Sequence, residues 1–303
     1  MEKTFTIGIS TRALFDLEKE HRIFEEQGAK AYVDYQIARE HEVLSPGPAF
    51  RLIQAFLSLN VPGEEPMIQV VIMSKNSADS ALRIFHSIDH YGLAIKKAAL
   101  TTGGAIAPYL RAYGVDLYLS FCSSDVQDAL TSGIAAGVLL HHLPRSQKPI
   151  RQIRIAFDGD AVLFTGEAEK VYLQEGIEAF CNREKEKALE PLEPGPFAHV
   201  LCLIAAIQKQ QEDERDDQEL SPIRTALVTA RSAPAHERVI RTLQAWGVRI
   251  DEAFFLGGMD KSAVLRAFGA HIFFDDNEEN TRSASQVVLA ARVPRLVEYE
   301  TAV

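Results

Sequence analysis

The sequence predicts an α/β protein with two tandem, doubly wound, parallel-sheet domains that arose by internal duplication. Three observations support this prediction. The length of 303 residues suits two domains of about 150 residues each. Short, nearly continuous apolar runs alternate with amphipathic helical runs, as in sheets covered by helices on both faces. Finally, the same residues recur at constant spacing in the two halves.

The repeat is clearest at Pro46-Gly47-Pro48, which recurs 148 positions later as Pro194-Gly195-Pro196. Further along, Leu110-Arg111-Ala112-Tyr113-Gly114 recurs as Leu265-Arg266-Ala267-Phe268-Gly269, so the spacing there is 155. An insertion of seven residues in the second half explains the change. The polar run 208–219 is its expected place, as a solvated helix end and loop. We therefore divide the chain into residues 1–148 and 149–303.

The second half contains four expected strands and two clear helices. The helices, Ala235–Trp246 and Lys261–Phe268, each end at a glycine, which is a common helix stop. The expected strands are short runs of apolar residues, as buried parallel strands require. They are Ile153–Asp158, Thr225–Thr229, Ala253–Leu256 and His271–Phe274.

Composition limits the class of protein. Apolar residues make up 47% of the chain and charged residues 24%, which is typical of a folded globular protein. The net charge of −10 argues against a nucleic-acid polymer as partner, because such binding needs clustered Lys and Arg. A small anionic ligand remains compatible with this charge. A homo-oligomer is also compatible, although no clear self-complementary patch is present.

The sequence also favours a cytoplasmic protein that does not enter a membrane. The first residues lack an apolar signal segment, and no apolar run is long enough to span a bilayer. Three cysteines without metal-ligand spacing are expected to be reduced thiols.

Chemically active side chains follow each expected strand of the second half. Ligands bind at the carboxyl ends of the strands in such sheets, so these side chains should meet at one edge. The first strand is followed by Asp158 and Asp160, the second ends at Thr229, and Lys261 follows the third. The fourth is followed by Asp275-Asp276.

This set of groups suits phosphoryl transfer. Four clustered carboxylates (Asp158, Asp160, Asp275 and Asp276) would repel one another unless a cation shared them, and oxygen ligands favour Mg²⁺. One carboxylate could then attack phosphorus, and a second could protonate the leaving oxygen. Lys261 and Thr229 could hold the oxygens of the transferred phosphoryl group.

The same residues, in this order, resemble the haloacid dehalogenase-like (HAD) phosphohydrolases. That family has an aspartate pair of the DxDx(T/V) type, a Ser or Thr, a Lys and a final acidic pair. The resemblance implies that Asp158 is the nucleophile and Asp160 the general acid and base. It implies Mg²⁺ ligation by the Asp158 carboxylate, the Asp160 backbone carbonyl, and Asp275 or Asp276. It also implies a small helical cap inserted at about residues 165–222.

The phosphate-binding group is expected to comprise Thr229, Ala230, Arg231 and Lys261. Of these, Arg231 has two interpretations. Its guanidinium could clamp the phosphate, or it could cap the following helix. Three aromatic residues after the first motif (Phe164, Tyr172 and Phe180) could similarly stack on a base, but ordinary core packing is the favoured interpretation.

The residues of both halves resemble one family within this superfamily, the cytosolic 5′-nucleotidase type I family, nearly end to end. This resemblance implies Mg²⁺-dependent hydrolysis of nucleoside 5′-monophosphates, notably AMP. Two alternatives remain: a phosphatase for another small ester such as a sugar phosphate, and a nucleotide-sensing protein without turnover. The segments that carry the resemblance include Thr11-Arg12-Ala13-Leu14-Phe15-Asp16, Ala156-Phe157-Asp158-Gly159-Asp160, Val228-Thr229-Ala230-Arg231-Ser232 and Phe273-Phe274-Asp275-Asp276.

The first half lacks the acidic cluster. Residues at the matched positions include Ser10, Arg12, Ser74, Ile106 and Ser120, so we expect a degenerate, non-catalytic copy. Two interpretations of this half remain open. It could be purely structural, or its own strand ends could form an anion or nucleotide pocket from Arg12, Lys75, Asn76 and Gly103-Gly104.

Overall fold

Ten strands form one sheet in the computed structural model, which describes residues 4–140, 148–213 and 221–295. The described residues also form ten α-helices of six or more residues, one four-residue helix and a short 3₁₀ turn, so the α/β class is confirmed. The elements of the first half are, in chain order, β1 (Phe5–Ile9), α1 (Thr11–Leu14), α2 (Glu18–Ile37), α3 (Phe50–Leu57), β2 (Ile68–Ser74), α4 (Leu82–His90), β3 (Lys97–Leu100), α5 (Ala107–Ala112), β4 (Leu117–Ser120), α6 (Ser123–Thr131) and β5 (Ala135–Leu139).

The second half repeats this alternation of strands and helices. All four strands expected from sequence are present, with bounds that differ by one or two residues. Both expected helices are present as well. The elements are β6 (Ile153–Phe157), α7 (Glu167–Glu186), α8 (Ala198–Asp213), β7 (Ile223–Thr229), α9 (His236–Ala245), β8 (Glu252–Phe255), α10 (Ser262–Phe268), β9 (Ile272–Asp275), α11 (Glu278–Ala284) and β10 (Leu289–Arg292).

The two halves have the same strand order and share one sheet. The full order is β3-β2-β1-β4-β5-β10-β9-β6-β7-β8, so each half places its first strand in the middle of its own five. Pairing is parallel within each half, and β5 and β10 pair antiparallel at the junction. The prediction of a parallel sheet in each half is therefore correct for the pairing. It did not foresee that the two edge strands would join, which removes two exposed sheet edges.

Hydrogen bonds recur between the halves at the spacings seen in the sequence. Arg83 Nε donates to the Glu42 carbonyl at 2.8 Å, and Arg238 Nε donates to the Glu190 carbonyl at 2.9 Å. The long helices α2 and α7 are both kinked at a glycine with positive φ, Gly28 at 84° and Gly176 at 85°. The repeat thus extends from residue types to backbone conformation.

One local shift interrupts the constant spacing. Gly47 N donates to the Leu14 carbonyl, and Gly195 N donates to the Leu163 carbonyl, both at 2.8 Å. These contacts equate Leu14 with Leu163, which is one position further than the repeat of Pro46-Gly47-Pro48 implies. The loop after β6 is therefore one residue longer than the loop after β1, and it contains Ala161 at a φ of 59°.

The helical segment expected as a cap differs from the prediction in two ways. The first half has its own counterpart, because α2 and α3 occupy the matched positions. In addition, α8 is part of the core: Leu201 and Ile204 are almost fully buried. This leaves α7 as the described element that can cover the strand ends. Part of the expected insertion, residues 214–220, lies outside the described residues.

Both faces of the central second-half strands are buried. Along β6, Ile155 and Phe157 belong to the main core, whereas Ala156 faces a second apolar cluster with Phe273 of β9. This arrangement explains why these strands are continuous apolar runs. The main core also includes residues of the first half such as Phe5, so it continues across the junction. Within the described ranges, no helix has the length and apolar character needed to cross a membrane.

Candidate active site

The carboxyl ends of β6, β7 and β9 bring the predicted residues together. In the sheet, β6 lies between β7 and β9, so residues that follow these strands are neighbours. Asp158 directly follows β6, Thr229 is the last residue of β7, and Asp275 is the last residue of β9. The backbone N–H of Asp158 also donates to the Phe274 carbonyl at 2.8 Å, which fixes the loop after β6 against β9.

Lys261 links two of these carboxylates. It precedes α10, and its Nζ lies 2.8 Å from Asp158 Oδ1 and 2.7 Å from Asp275 Oδ2. The side chain of Lys261 is 4% exposed and that of Asp275 is fully buried. Such a buried charge persists only with partners. Burial would lower the pKa of Lys261, but Asp158 and Asp275 outweigh it and the pKa is raised, so Lys261 remains charged.

Asp158 carries the opposite perturbation. Burial raises the pKa of its carboxyl from 3.8 to about 8, and Asp275 and Asp160 add to this, whereas Lys261 opposes it. The ionised form of Asp158 therefore needs more positive charge than Lys261 alone supplies. A divalent cation beside this carboxylate would provide it.

Three carboxylates are arranged for such a cation. Oxygen atoms of Asp158, Asp275 and Asp276 lie within 4.8 Å of one another. Asp275 is held in place by the Asn277 N–H at 2.8 Å and by Asn280 Nδ2 at 3.2 Å. A set of oxygen ligands with supporting hydrogen bonds fits a hard divalent ion such as Mg²⁺.

The side chain of Asp160 lies outside this group of three. Both of its oxygens accept hydrogen bonds from Arg231, at 2.8 Å from Nε and 2.7 Å from Nη2. Arg231 Nη1 donates to Glu184, and Glu184 also accepts from Arg238 Nη1 at 2.8 Å. Burial opposes the charge on Arg231, but its pKa is raised by Asp160 and Glu184.

The chain also matches a known family over nearly its whole length. The family model that matches residues 1–300 is described as 5′-nucleotidase. The chain belongs to the 5′-nucleotidase family. A relative in this family is human cytosolic 5′-nucleotidase 1B, which is 37% identical over 293 residues, or 94% of this chain. The chain spans 48% of the length of that relative.

A solved structure of histidinol dehydrogenase from Elizabethkingia anophelis matches with 9% identity, over 92% of this chain and 76% of that one. Its TM-score of 0.23 does not indicate a shared fold. The sequence resemblance to 5′-nucleotidases is thus confirmed by the family match and the human relative.

The two neighbouring residues Thr229 and Ala230 differ in burial in this member of the 5′-nucleotidase family. Thr229 is buried, and its Oγ1 accepts the backbone N–H of Arg231 at 3.2 Å. Gly159 packs closely against this hydroxyl, because a Cβ at that position would lie 3.2 Å from Thr229 Oγ1. Ala230 follows β7 and is exposed. Because an alanine side chain has no polar atom, only the backbone of Ala230 can supply a polar contact there.

The phosphate-clamp role expected for Arg231 stays a prediction, whereas the alternative role as a helix cap is not seen, because no side-chain hydrogen bond caps the start of α9. The Arg231 guanidinium forms ion pairs with Asp160 and Glu184. Glu184 was missed by the sequence analysis. The sequence contained part of the evidence for Glu184. Arg83 and Arg238 are matched positions of the repeat, and each of these buried arginines pairs with a buried glutamate.

Helix α7 covers this part of the site. Glu184 lies near its end, and Phe180 lies 5.6 Å from the Arg231 guanidinium. Tyr172 of the same helix packs edge-on against Phe180. Phe164, by contrast, is fully buried against Trp246. Core packing is therefore confirmed for Phe164, while Phe180 contacts the charged network beside the site.

Proposed function

We propose that this chain is a Mg²⁺-dependent 5′-nucleotidase that hydrolyses nucleoside 5′-monophosphates such as AMP to nucleoside and phosphate. One observation carries the proposal: Asp158 lies against Lys261 at the end of the central strand, with Asp275 and Asp276 close enough to share a cation. Family membership supports the substrate class, and the name of the human relative supports a cytosolic location.

The metal ligands in this proposal are the Asp158 carboxylate, Asp275 and Asp276, with the Asp160 backbone carbonyl as a further oxygen. When bound, Mg²⁺ would offset the repulsion between these carboxylates and the charge of the substrate phosphate. The burial of Asp275 and its contacts with Asn277 and Asn280 would hold its oxygen towards the ion.

In the first step, an Asp158 carboxylate oxygen attacks phosphorus while the bond from phosphorus to the 5′ oxygen breaks. The 5′ oxygen takes a proton from Asp160, and nucleoside leaves. Lys261 holds Asp158 in position and, with the Thr229 hydroxyl and the Ala230 backbone, would bind the phosphoryl oxygens. The product of this step is an aspartyl phosphate at Asp158.

In the second step, Asp160 takes a proton from water, whose oxygen attacks phosphorus. The acyl-phosphate bond breaks, which restores the Asp158 carboxylate and releases phosphate. Two hydrogen bonds from Arg231 hold the Asp160 carboxylate in a fixed orientation beside the site. For the first step, Asp160 must exchange a contact with Arg231 for the leaving oxygen.

The proposal assigns catalysis to a HAD-like unit of residues 149–303, with α7 as its cap. Residues 1–148 would be a duplicated copy without catalytic groups. The repeated strand order and the recurring hydrogen bonds support this division. Serines at positions 10, 74 and 120 support the loss of metal binding in the first copy, because they replace two of the carboxylates and the threonine of the second.

Phosphate release from AMP, with Mg²⁺ and with EDTA, tests the proposal. Release should require Mg²⁺, and Asp158→Asn should abolish it while the fold persists. Asp34→Asn, an exposed aspartate on α2, is the matched control and should retain full activity. Turnover in EDTA, or an active Asp158→Asn variant, would contradict the mechanism.

A panel of phosphate esters then tests the substrate class. A 5′-nucleotidase should show a higher kcat/KM for nucleoside 5′-monophosphates than for sugar phosphates. A preference for a sugar phosphate would preserve the chemistry at Asp158 but reject the substrate. Nucleotide binding without any turnover would reject both.

A further inference from the structure

Polar groups gather at the carboxyl ends of β1 and β2, the first-half counterparts of β6 and β7. Ser10 directly follows β1, and Arg12 is the second residue of α1. Ser74 ends β2, and its Oγ accepts the Asn76 N–H at 3.1 Å. Thr11 Oγ1 lies 3.5 Å from Ser74 Oγ, so these two strand ends are in contact.

Three atoms in this group are shielded from solvent and form no hydrogen bond of good geometry within the described residues. They are Ser10 Oγ, Arg12 Nε and Asn76 Nδ2. Only two further side-chain atoms in the described parts of the chain share this condition, Gln211 Oε1 and His236 Nδ1. Buried polar groups are normally satisfied, so three such atoms at neighbouring strand ends indicate a ligand.

This region lacks the clustered carboxylates of the catalytic half. Ser10 stands where the second half has Asp158, and Ser120 stands where it has Asp275. The nearby acids are paired: Glu18 accepts from Arg12 Nη2 at 3.0 Å, and Asp125 lies 2.5 Å from Lys75 Nζ. No cluster of carboxylates comparable to the second-half group of three occurs at this edge in the described residues.

The unsatisfied atoms are mainly donors. Arg12 Nε and Asn76 Nδ2 carry N–H groups, and the Ser10 hydroxyl can donate as well. The Arg12 guanidinium is also held over the Phe121 ring, 5.6 Å from its centroid. The Tyr32 hydroxyl is a further polar group: burial raises its pKa, and side-chain interactions with Gln36 and Asn76 oppose this. An arginine, an amide and a hydroxyl at two neighbouring strand ends are suited to a phosphate-type oxyanion.

We propose that Ser10, Arg12 and Asn76 form a first-half anion site that binds the phosphate group of a small molecule. The site is separate from the acidic catalytic group and needs no metal ion. In this interpretation the duplicated half has kept the ligand position at its strand ends while reversing its charge preference. Binding at this site does not depend on hydrolysis at Asp158.

Calorimetric titration of the full chain with inorganic phosphate tests the proposal. It should be done in EDTA, because the metal-free carboxylates of the second half repel phosphate. Wild type should show saturable binding. Arg12→Gln should weaken binding by about tenfold or more, the usual consequence of losing a charge-assisted contact. Arg111→Gln is the control, since Arg111 is exposed at the end of α5 and contacts Ser132.

Ser10→Ala and Asn76→Ala provide further variants with little risk to the fold. Each should weaken phosphate binding while thermal unfolding stays close to that of wild type. The proposal is overturned if wild type shows no saturable binding in EDTA. It is also overturned if the folded Arg12, Ser10 and Asn76 variants bind as wild type does, or if Arg111→Gln loses binding equally. None of these outcomes depends on AMP turnover, which is measured separately.

Discussion

Arg231 donates hydrogen bonds to both carboxylate oxygens of Asp160, at 2.8 and 2.7 Å. The arginine side chain is 2% exposed, and its remaining terminal nitrogen donates to the buried Glu184. A bidentate contact of this kind fixes both the position and the orientation of a carboxylate. In the proposed mechanism, Arg231 is therefore a positioning residue for the general acid and base.

Replacement of Arg231 by Lys separates positioning from substrate binding. Lysine keeps the charge but loses the planar fork, so Asp160 should be less well oriented. We expect kcat for AMP to fall by about tenfold to a hundredfold, whereas KM should change little. Steady-state kinetics check this outcome. A large rise in KM at unchanged kcat would indicate that Arg231 binds the phosphate directly.

Glu184→Gln tests the buried network behind Arg231. Glu184 is 1% exposed and pairs with both Arg231 and Arg238. The substitution leaves two buried guanidinium groups without their shared negative charge, so unfolding free energy should fall by about 3 kcal/mol. Urea denaturation measures this loss. Glu167→Gln, on the exposed part of the same helix, is the matched control and should change stability little.

Mg²⁺ binding should depend on pH through Asp158. Burial raises the pKa of this carboxyl from 3.8 to about 8, so the metal-free folded protein holds a proton that the unfolded chain has lost. Its stability should therefore fall as pH rises between these two values. Because Mg²⁺ favours the ionised carboxylate, its binding should release this proton below about pH 8.

Thermal unfolding with and without Mg²⁺ checks this expectation. The increase in Tm on adding Mg²⁺ should be larger at about pH 8.5 than at about pH 6. The dependence should shrink in Asp158→Asn, which has no proton to release at that position. An equal Mg²⁺ effect at both pH values in wild type would show that Asp158 is already ionised in the metal-free protein.

Gly195→Ala tests the packing that supports the loop after β6. A Cβ on Gly195 would lie 2.5 Å from the Phe164 carbonyl oxygen and 2.6 Å from that of Val162. Both contacts are with backbone, which cannot move aside without distorting the loop. We expect a loss of about 3 kcal/mol in unfolding free energy, measured by urea denaturation.

Gly166→Ala is the control for this substitution. A Cβ there would lie 3.7 Å from the Ala161 Cβ, which is an ordinary contact. Its stability should stay within about 1 kcal/mol of wild type. Equal stability of Gly195→Ala and wild type would mean that the loop and the Pro194-Gly195-Pro196 segment can separate at little cost.

Several features followed from local sequence patterns. Apolar runs identified β6 to β9 because strands buried on both faces leave little room for polar residues. The positions of Asp158, Thr229 and Asp275 at strand ends were sufficient to bring them together, since parallel neighbouring strands end at one edge. The pairing of Asp160 with Arg231 was not accessible in this way, because strand order places both residues at the same edge of the sheet but does not determine which side chains there form hydrogen bonds.

The sequence by itself determined the α/β class, the repeat, and the residues that stand at the ends of the second-half strands. The tertiary structure decided which of the four carboxylates cluster: Asp158, Asp275 and Asp276 do so, whereas Asp160 turns to Arg231. It also decided that β5 and β10 join the halves into one sheet. Local periodicity reports which residues are buried, but the choice among buried charge partners and open strand edges depends on contacts between distant parts of the chain.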